Sequence, residues 1–350
     1  MSLQNAASMS SVFASSKVLI TGGLGFIGSN LAEALVGLGA DITLVDSLIP
    51  EYGGNLFNVE PFKDKVRVNI SDVRDEHAMK YLIQGQDYLF NLAGQTSHVD
   101  SMNNPFPDLE INARAQLSIL EACRKHNPGV KLVFASTRQM YGKPEYLPVD
   151  ERHPLRPVDV NGINKMAGEW YHILYNNVYD IRGCVLRLTN TYGPRMRVKD
   201  ARQTFLGIWV KKMVEGSGIQ VFGDGKQIRD FNYVDDVVNA MLMCAANEEA
   251  NGEIFNLGAD DPINLKDTAE LLIQVNGGGS YEIVPFPPER KSIDIGDYYA
   301  DYRKIRAKVG WKPQVSLEDG LRRTMEYYRQ YGIGNYWEPE SPKIELKKAA

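Results

Sequence analysis

Apolar positions in the first half of the chain fall into short unbroken runs, each separated from the next by a longer amphipathic stretch. Val18 to Ile20, Ile42 to Val45, Val66 to Asn69, Tyr88 to Leu92, Lys131 to Ser136 and Gly183 to Leu188 read as strands. Runs of this kind suit strands covered on both faces, as in a parallel sheet. Helical patterns between them, beginning with Ser29 to Val36, complete an alternation that predicts an α/β fold with a doubly wound parallel sheet. Beyond Asn190 the alternation loosens, and loops at Gly193-Pro194, Gly223 to Gly225 and Pro285 to Pro288 break the chain into shorter elements. The pattern predicts a sheet domain over 17–189, to which the chain returns near 234–258. A smaller C-terminal α/β substrate lobe is expected from 190–233 and 259–335.

One predicted helix, Asp108 to Arg124, carries two apolar stripes. Leu109, Ala113 and Leu117 form the first; Ile111, Ala115, Ile119 and Ala122 form the second. A helix resting on a sheet needs one such face, so the second predicts a partner subunit and hence a homodimer. The helix following Gly162 has the same character, through Met166, Ala167, Trp170, Ile173 and Leu174.

The junction of the first strand and helix carries the first chemistry. Gly22, Gly25 and Gly28 bracket Phe26 and Ile27, and this triplet follows a strand and opens a helix. Such glycines let the backbone turn sharply, approach a pyrophosphate and pack the helix closely on the sheet, while the helix N-terminus faces the phosphates. Asp46, followed by Ser47, ends the second strand about 20 residues on, where a carboxylate binds a ribose diol. Strand, triplet, helix, strand and acid in that order predict a dinucleotide-binding (Rossmann) domain. A carboxylate at Asp46 repels a ribose phosphate, and Ser47, Leu48, Ile49 and Pro50 bring no arginine to it, so NAD is favoured over NADP.

Composition narrows the partners. The 350 residues carry a formal net charge of −5, which gives no electrostatic reason to expect nucleic acid or an anionic membrane. No apolar run approaches the length of a bilayer span. Cys123, Cys184 and Cys244 each sit in an apolar pattern and read as buried thiols of a reducing compartment; together with a start lacking the features of a signal peptide, they predict a cytoplasmic protein. No metal-ligand spacing is present. Residues 1–16 and 338–350 are expected to be poorly ordered.

Several further motifs complete a resemblance. They are Asp72-Val73, Asn91-Leu92-Ala93-Gly94-Gln95, Ser136-Thr137 before Tyr141-Gly142, Asn190 to Arg195, Gln227 to Phe231 with Tyr233-Val234 and Asp236, Ala300-Asp301 and Gly310-Trp311. With the glycine triplet they make the chain, from Lys17 to Tyr331, resemble the extended short-chain dehydrogenase/reductases, specifically the nucleotide-sugar epimerases and dehydratases. The resemblance implies that Asp72 and Val73 flank the adenine and that Leu92, Ala93 and Gly94 line the pyrophosphate, with Asn112 steadying the nearby loops. It implies that Thr137 bonds the hydroxyl of the carbon to be oxidised and that Lys165 binds the nicotinamide ribose. Asn190 and Arg229 match residues that hold a sugar-nucleotide diphosphate, and Arg290 or Lys291, with Asp294, falls where further substrate contacts are usual. Loop side chains around Gln203 are expected to set specificity.

Two departures stand out. The family's catalytic tyrosine, four residues before Lys165, is replaced by Asn161, and an amide cannot accept and return a proton at neutral pH. Lys165 and then His98 are the candidates for that task. Dehydratases also carry Asp-Glu after the Ser-Thr pair and decarboxylases a Glu, whereas this chain has Arg138-Gln139. The Asn190 to Arg195 block resembles UDP-glucuronate decarboxylases and Ala93 to Gln95 resembles CDP-tyvelose 2-epimerase. The expectation is an NAD-dependent epimerase of a nucleotide-diphosphate sugar. The alternatives are a binding protein without turnover and a decarboxylase or dehydratase with relocated acids.

Overall fold

The computed structural model describes residues 9–52, 54–202 and 204–337. Its centre is a seven-stranded sheet. Strand β1 (Lys17–Thr21) is followed by helix α1 (Phe26–Gly37), β2 (Asp41–Asp46), β3 (Val66–Ile70), α2 (Glu76–Leu82) and β4 (Tyr88–Asn91). Helices α3 (His98–Asn103), α4 (Pro105–Leu109) and α5 (Ala115–His126) lead to β5 (Lys131–Thr137), α6 (Val160–Tyr179) and β6 (Gly183–Leu188). After α7 (Phe205–Val214) in the second lobe, the chain returns through α8 (Val234–Ala245) and β7 (Ile254–Asn256). The strand order is β7-β6-β5-β4-β1-β2-β3 and every pairing is parallel, with Val18 opposite both Ile42 and Tyr88.

Helices cover both faces, which is why the inner strands read as unbroken apolar runs. On one face Leu31 and Leu35 of α1 pack with Val237 and Met241 of α8 and with Trp311. On the other, Met79 of α2 and Ile119, Leu120 and Cys123 of α5 close over Leu19 and Leu89. The edge strand β3 leaves Val68 and Ile70 exposed, and Arg67 pairs with Asp41 at 2.6 Å along this edge, a charge that discourages strand addition.

Two expectations need correction. Residues 9–13 are helical rather than poorly ordered: Phe13 is fully buried and its ring lies 5.0 Å from that of Tyr88, an anchor that the Ser- and Ala-rich composition conceals. The tail 338–350 lies outside the described residues. The stretch 108–124 is also not one regular helix, because a π-helical turn at Glu110–Arg114 separates α4 from α5. A wider turn changes which positions face the sheet. Ile111, Ala115, Ile119 and Ala122 are buried, and so is Ala113, while Leu109 and Leu117 are left exposed.

In the second lobe, α7, α9 (Leu265–Asn276) and α10 (Leu317–Tyr331) surround a parallel pair formed by Ile219–Phe222 and Tyr281–Val284. Leu206, Trp209, Val221, Leu272 and Met325 form its own core. Among the described residues no helix is long and apolar enough to cross a membrane.

Candidate functional site

The carboxyl ends of β1, β2, β4 and β5 open into one cleft of about 1550 Å³, counted to its open mouth. Gly22, Gly25, Phe26, Ile27 and Gly28 form its floor, with Asp46 and Ser47 at the β2 end and Asp72 and Val73 beyond them. Leu92, Ala93 and Gly94 form the opposite wall.

The glycines are required by the geometry. Gly22 has φ +67°, and a Cβ there would meet the Leu92–Ala93 backbone at 3.0 Å. A Cβ on Gly28 would stand 2.2 Å from the Gly22 carbonyl oxygen, so α1 could not seat against the loop. The first turn of α1 thus presents its free N–H groups to the cleft floor, a ready cradle for a pyrophosphate. Asp46 accepts from Leu24 N–H at 3.1 Å and from Leu48 N–H at 3.0 Å. Burial pushes its carboxyl upward, against the pull of these N–H groups. Asp72 is paired with Arg74 at 2.6 Å, which holds its carboxyl below the ordinary range. A bare backbone cradle at a helix N-terminus with a fixed carboxylate at the end of β2 fits a dinucleotide.

At the far end, α6 delivers the remaining groups. Its N-cap, Asp159, accepts from Gly162 N–H at 2.7 Å, which fixes the first turn. Asn161, Asn164 and Lys165 then fall on one buried face. Lys165 Nζ donates to the Ala135 carbonyl at 3.1 Å and sits 5.0 Å from the centre of the Phe134 ring. Burial lowers its pKa to about 8. A Cβ on Gly94 would come within 2.9 Å of that nitrogen and 3.0 Å of Asn112 Oδ1. Asn112 therefore stands behind the wall, where its Nδ2 donates to Gln95 O at 2.8 Å.

Asn161 lines the cleft, yet its amide is engaged elsewhere. Nδ2 donates to Gln95 O at 2.8 Å and to Asp108 Oδ2 at 2.9 Å, and Asn164 Nδ2 donates to Asp108 Oδ1 at 2.8 Å. Thr137 and His98 also line the cleft, and His98 Nδ1 stands 3.0 Å from Asp159 Oδ2. Tyr141 offers the cleft no free phenol. Burial pushes its phenol up to about 12, and its hydroxyl is spent on Asn256 at 2.7 Å. Tyr175 likewise gives its hydroxyl to Glu121 at 2.7 Å.

The expected substrate residues are dispersed. Asn190 lines the cleft and receives Arg138 Nη2 at 3.0 Å. Arg229 is buried and pairs with Asp294 at 3.3 Å, just outside the lining. Arg290 stacks over Phe222 at 5.7 Å on the short helix Pro288–Lys291, where Lys291 is exposed. Gln203 lies outside the described residues. Asp108, Asp159 and Gln95 escaped the sequence reading. Of these, Asp159 was detectable as an acid shortly before an amphipathic helix, a helix-start signal.

Sheet order, glycine cradle and the lysine-bearing helix together mark a dinucleotide-binding protein of the extended short-chain dehydrogenase/reductase type. Residues 18–258 match the NAD dependent epimerase/dehydratase family, and the chain belongs to that family. Its NAD dependence makes NAD the cofactor of this cleft. The chain is 34% identical over 313 residues to a putative UDP-glucose 4-epimerase of Methanocaldococcus jannaschii, covering 89% of this chain and 98% of that one. It superimposes on the UDP-glucose 4-epimerase of Thermotoga maritima with UDP-glucose at a TM-score of 0.81 and 32% identity, covering 90% of this chain and 99% of the other. The dTDP-glucose 4,6-dehydratase of Streptomyces venezuelae with NAD bound gives a TM-score of 0.82 at 26% identity, covering 92% and 99%.

Proposed function

We propose that the protein is an NAD-dependent epimerase of a nucleotide-diphosphate sugar that works through a transient keto intermediate. The observation that supports it most is the pair following Thr137. Arg138 donates to Asn190 at 3.0 Å and Gln139 donates to Asp159 at 2.8 Å. Neither position offers an acid to expel water or to assist loss of carbon dioxide. What remains is oxidation at one carbon and reduction from the other face.

In this reading, bound NAD supplies a hydride acceptor that also returns the hydride. Thr137 bonds the hydroxyl of the reacting carbon, and Lys165 binds the nicotinamide ribose and adds positive charge. Asn190 and Arg229 hold the diphosphate, since charge-assisted donors suit it, with Arg290, Lys291 and Asp294 reaching the nucleoside side and Gln203 the specificity loop. The names of the similar epimerases favour a nucleotide sugar such as UDP-glucose. The exposed apolar faces of α5 and α6 support a homodimer.

Purified protein incubated with a panel of nucleotide sugars tests the proposal. Expected is an epimeric product with no net change in nicotinamide absorbance; a 4-keto-6-deoxy or decarboxylated product overturns it. Asn161 favours a second reading, a protein that binds NAD and a sugar nucleotide without turning it over. Binding by calorimetry with no product from any sugar nucleotide would establish that reading instead.

A further inference from the structure

We propose that His98 carries the substrate's hydroxyl proton in place of the missing tyrosine, with Asp159 as the positioning residue behind it. This rests on the epimerase reading above.

The geometry sets the parts in order. His98 opens α3, and its side chain is 34% exposed while that of Asp159 is fully buried. Nδ1 stands 3.0 Å from the carboxylate but is not aligned for a hydrogen bond to it in this ring orientation; a small turn of the ring would set a proton on Nδ1 against Asp159 and leave Nε2 as the acceptor. The carboxylate is itself fixed, accepting from Gly162 N–H at 2.7 Å and from Gln139 Nε2 at 2.8 Å. Burial raises the Asp159 carboxyl, but His98, Gly162 and Gln139 together hold it below the ordinary range. It therefore stays anionic, a fixed charge beside the imidazole.

Asn161 has a part in the same arrangement. Its Nδ2 bond to Gln95 O and its backbone N–H to Ser101 Oγ at 3.3 Å tie the segment bearing His98 to α6. Ser97 caps α3 by accepting from Asp100 N–H at 3.2 Å. The residue that replaces the family's base thus braces the segment carrying another one. Lys165 is less suited to this task. With a pKa near 8 it keeps its proton at neutral pH, and one of its N–H bonds is spent on Ala135.

In the forward half-reaction Nε2 would take the hydroxyl proton, and bound NAD would supply the acceptor for the hydride from the same carbon as the carbonyl forms. The return reverses both transfers on the other face of the sugar. Around the imidazole, the cleft also presents Lys165, Arg138 and Tyr52. Its own helix presents Asp100, paired with Arg202 at 3.1 Å, and α4 presents Asp108.

The test starts with the protein alone, labelled with ¹⁵N-histidine. Of the five histidines, His98 is assigned as the signal lost in His98→Gln. Expected is a ring protonated on Nδ1 and bare on Nε2 at neutral pH. In Asp159→Asn, which keeps an oxygen to cap α6, the preference for the Nδ1 tautomer should be lost. An unchanged tautomer in Asp159→Asn overturns the proposal. With UDP-glucose or whichever panel sugar proves active, His98→Gln should lower kcat roughly 10²- to 10⁴-fold with KM little changed. Asp159→Asn should lose less, and free imidazole should restore part of the activity of His98→Ala. Full kcat in His98→Gln, with an active wild type, overturns the histidine assignment alone. A wild type silent with every nucleotide sugar overturns the epimerase reading and this one with it.

Discussion

Asn161 and Asp108 are joined by a 2.9 Å hydrogen bond in which the amide Nδ2 donates and the carboxylate Oδ2 accepts. Both side chains are buried, and the second carboxylate oxygen is taken by Asn164. Asn161, where the resemblance leads one to expect a tyrosine, is part of a bracing network linking α6 to α4 and to the loop after β4.

Removing one side of that network should cost stability. Asn161→Ala leaves Gln95 O and one Asp108 oxygen without this donor, and an unmet buried polar group costs about 1–3 kcal/mol. A urea melt of Asn161→Ala should show a lower midpoint with an unchanged slope. Asn161→Tyr introduces the tyrosine that the resemblance leads one to expect, but supplies one donor in place of an amide that serves two acceptors, so it too should melt earlier than wild type. An unchanged midpoint in both variants would contradict the bracing role.

Lys165 makes a prediction whose sign depends on pH. Burial lowers its pKa to about 8, from an ordinary value of 10.5. Below pH 8 the lysine is charged in both folded and unfolded chains, so the folded state bears the full cost of burying the charge. Between about 8 and 10.5 only the unfolded state holds the proton, and stability rises with pH. The difference is on the order of 3 kcal/mol. Lys165→Met should therefore abolish turnover yet raise the melting temperature at pH 7, with the gain shrinking as pH climbs past 8. A melting temperature that falls at pH 7 and stays lower at pH 10 would refute this.

Much of the nucleotide domain was legible because its signals are local. The strand runs from Val18, Ile42 and Lys131 are covered on both faces, and the glycine triplet and Asp46 lie within one strand–helix–strand unit. The partners of Asn161 were not legible, because Asp108 and Gln95 lie 53 and 66 residues away in sequence. His98 could be named as titratable, but its pairing with Asp159 depends on how α3 meets the N-terminus of α6. The two stripes of 108–124 were misread as features of one regular helix, since nothing in the apolar spacing marks the π-helical turn. Phe13 was missed because one aromatic side chain anchors a segment whose composition is otherwise small and polar.

The packed helices α5 and α6 leave Leu117, Ile163, Trp170, Leu174 and Val178 exposed at 36% to 58%. On α6 these positions recur at helical spacing on the side turned away from the sheet. Such a continuous apolar face on a folded domain marks an interaction surface, and a second copy of the chain offers the same face. Light scattering at micromolar concentration should give a dimer, and Leu174→Asp should give a monomer with an unchanged melting profile. A wild-type monomer would refute the homodimer.

Cofactor choice is expected to turn on Asp46. Leu24 N–H and Leu48 N–H grip one oxygen each, so the carboxylate cannot swing aside to admit another anion. Two unit charges about 5 Å apart at an effective dielectric near 20 repel by about 3 kcal/mol, which salt reduces only partly at so sheltered a position. NADP should therefore bind at least about tenfold more weakly than NAD, since tenfold requires only about 1.4 kcal/mol. Asp46→Asn removes the charge but keeps one oxygen for one of the two N–H groups. The preference for NAD should narrow in that variant, chiefly because NADP binds better, and the lost hydrogen bond should lower the melting point slightly. Calorimetric titration of both cofactors decides the matter. Equal affinities in the wild type would remove Asp46 as the discriminating residue, and an unchanged ratio in Asp46→Asn would show that shape rather than charge sets the preference.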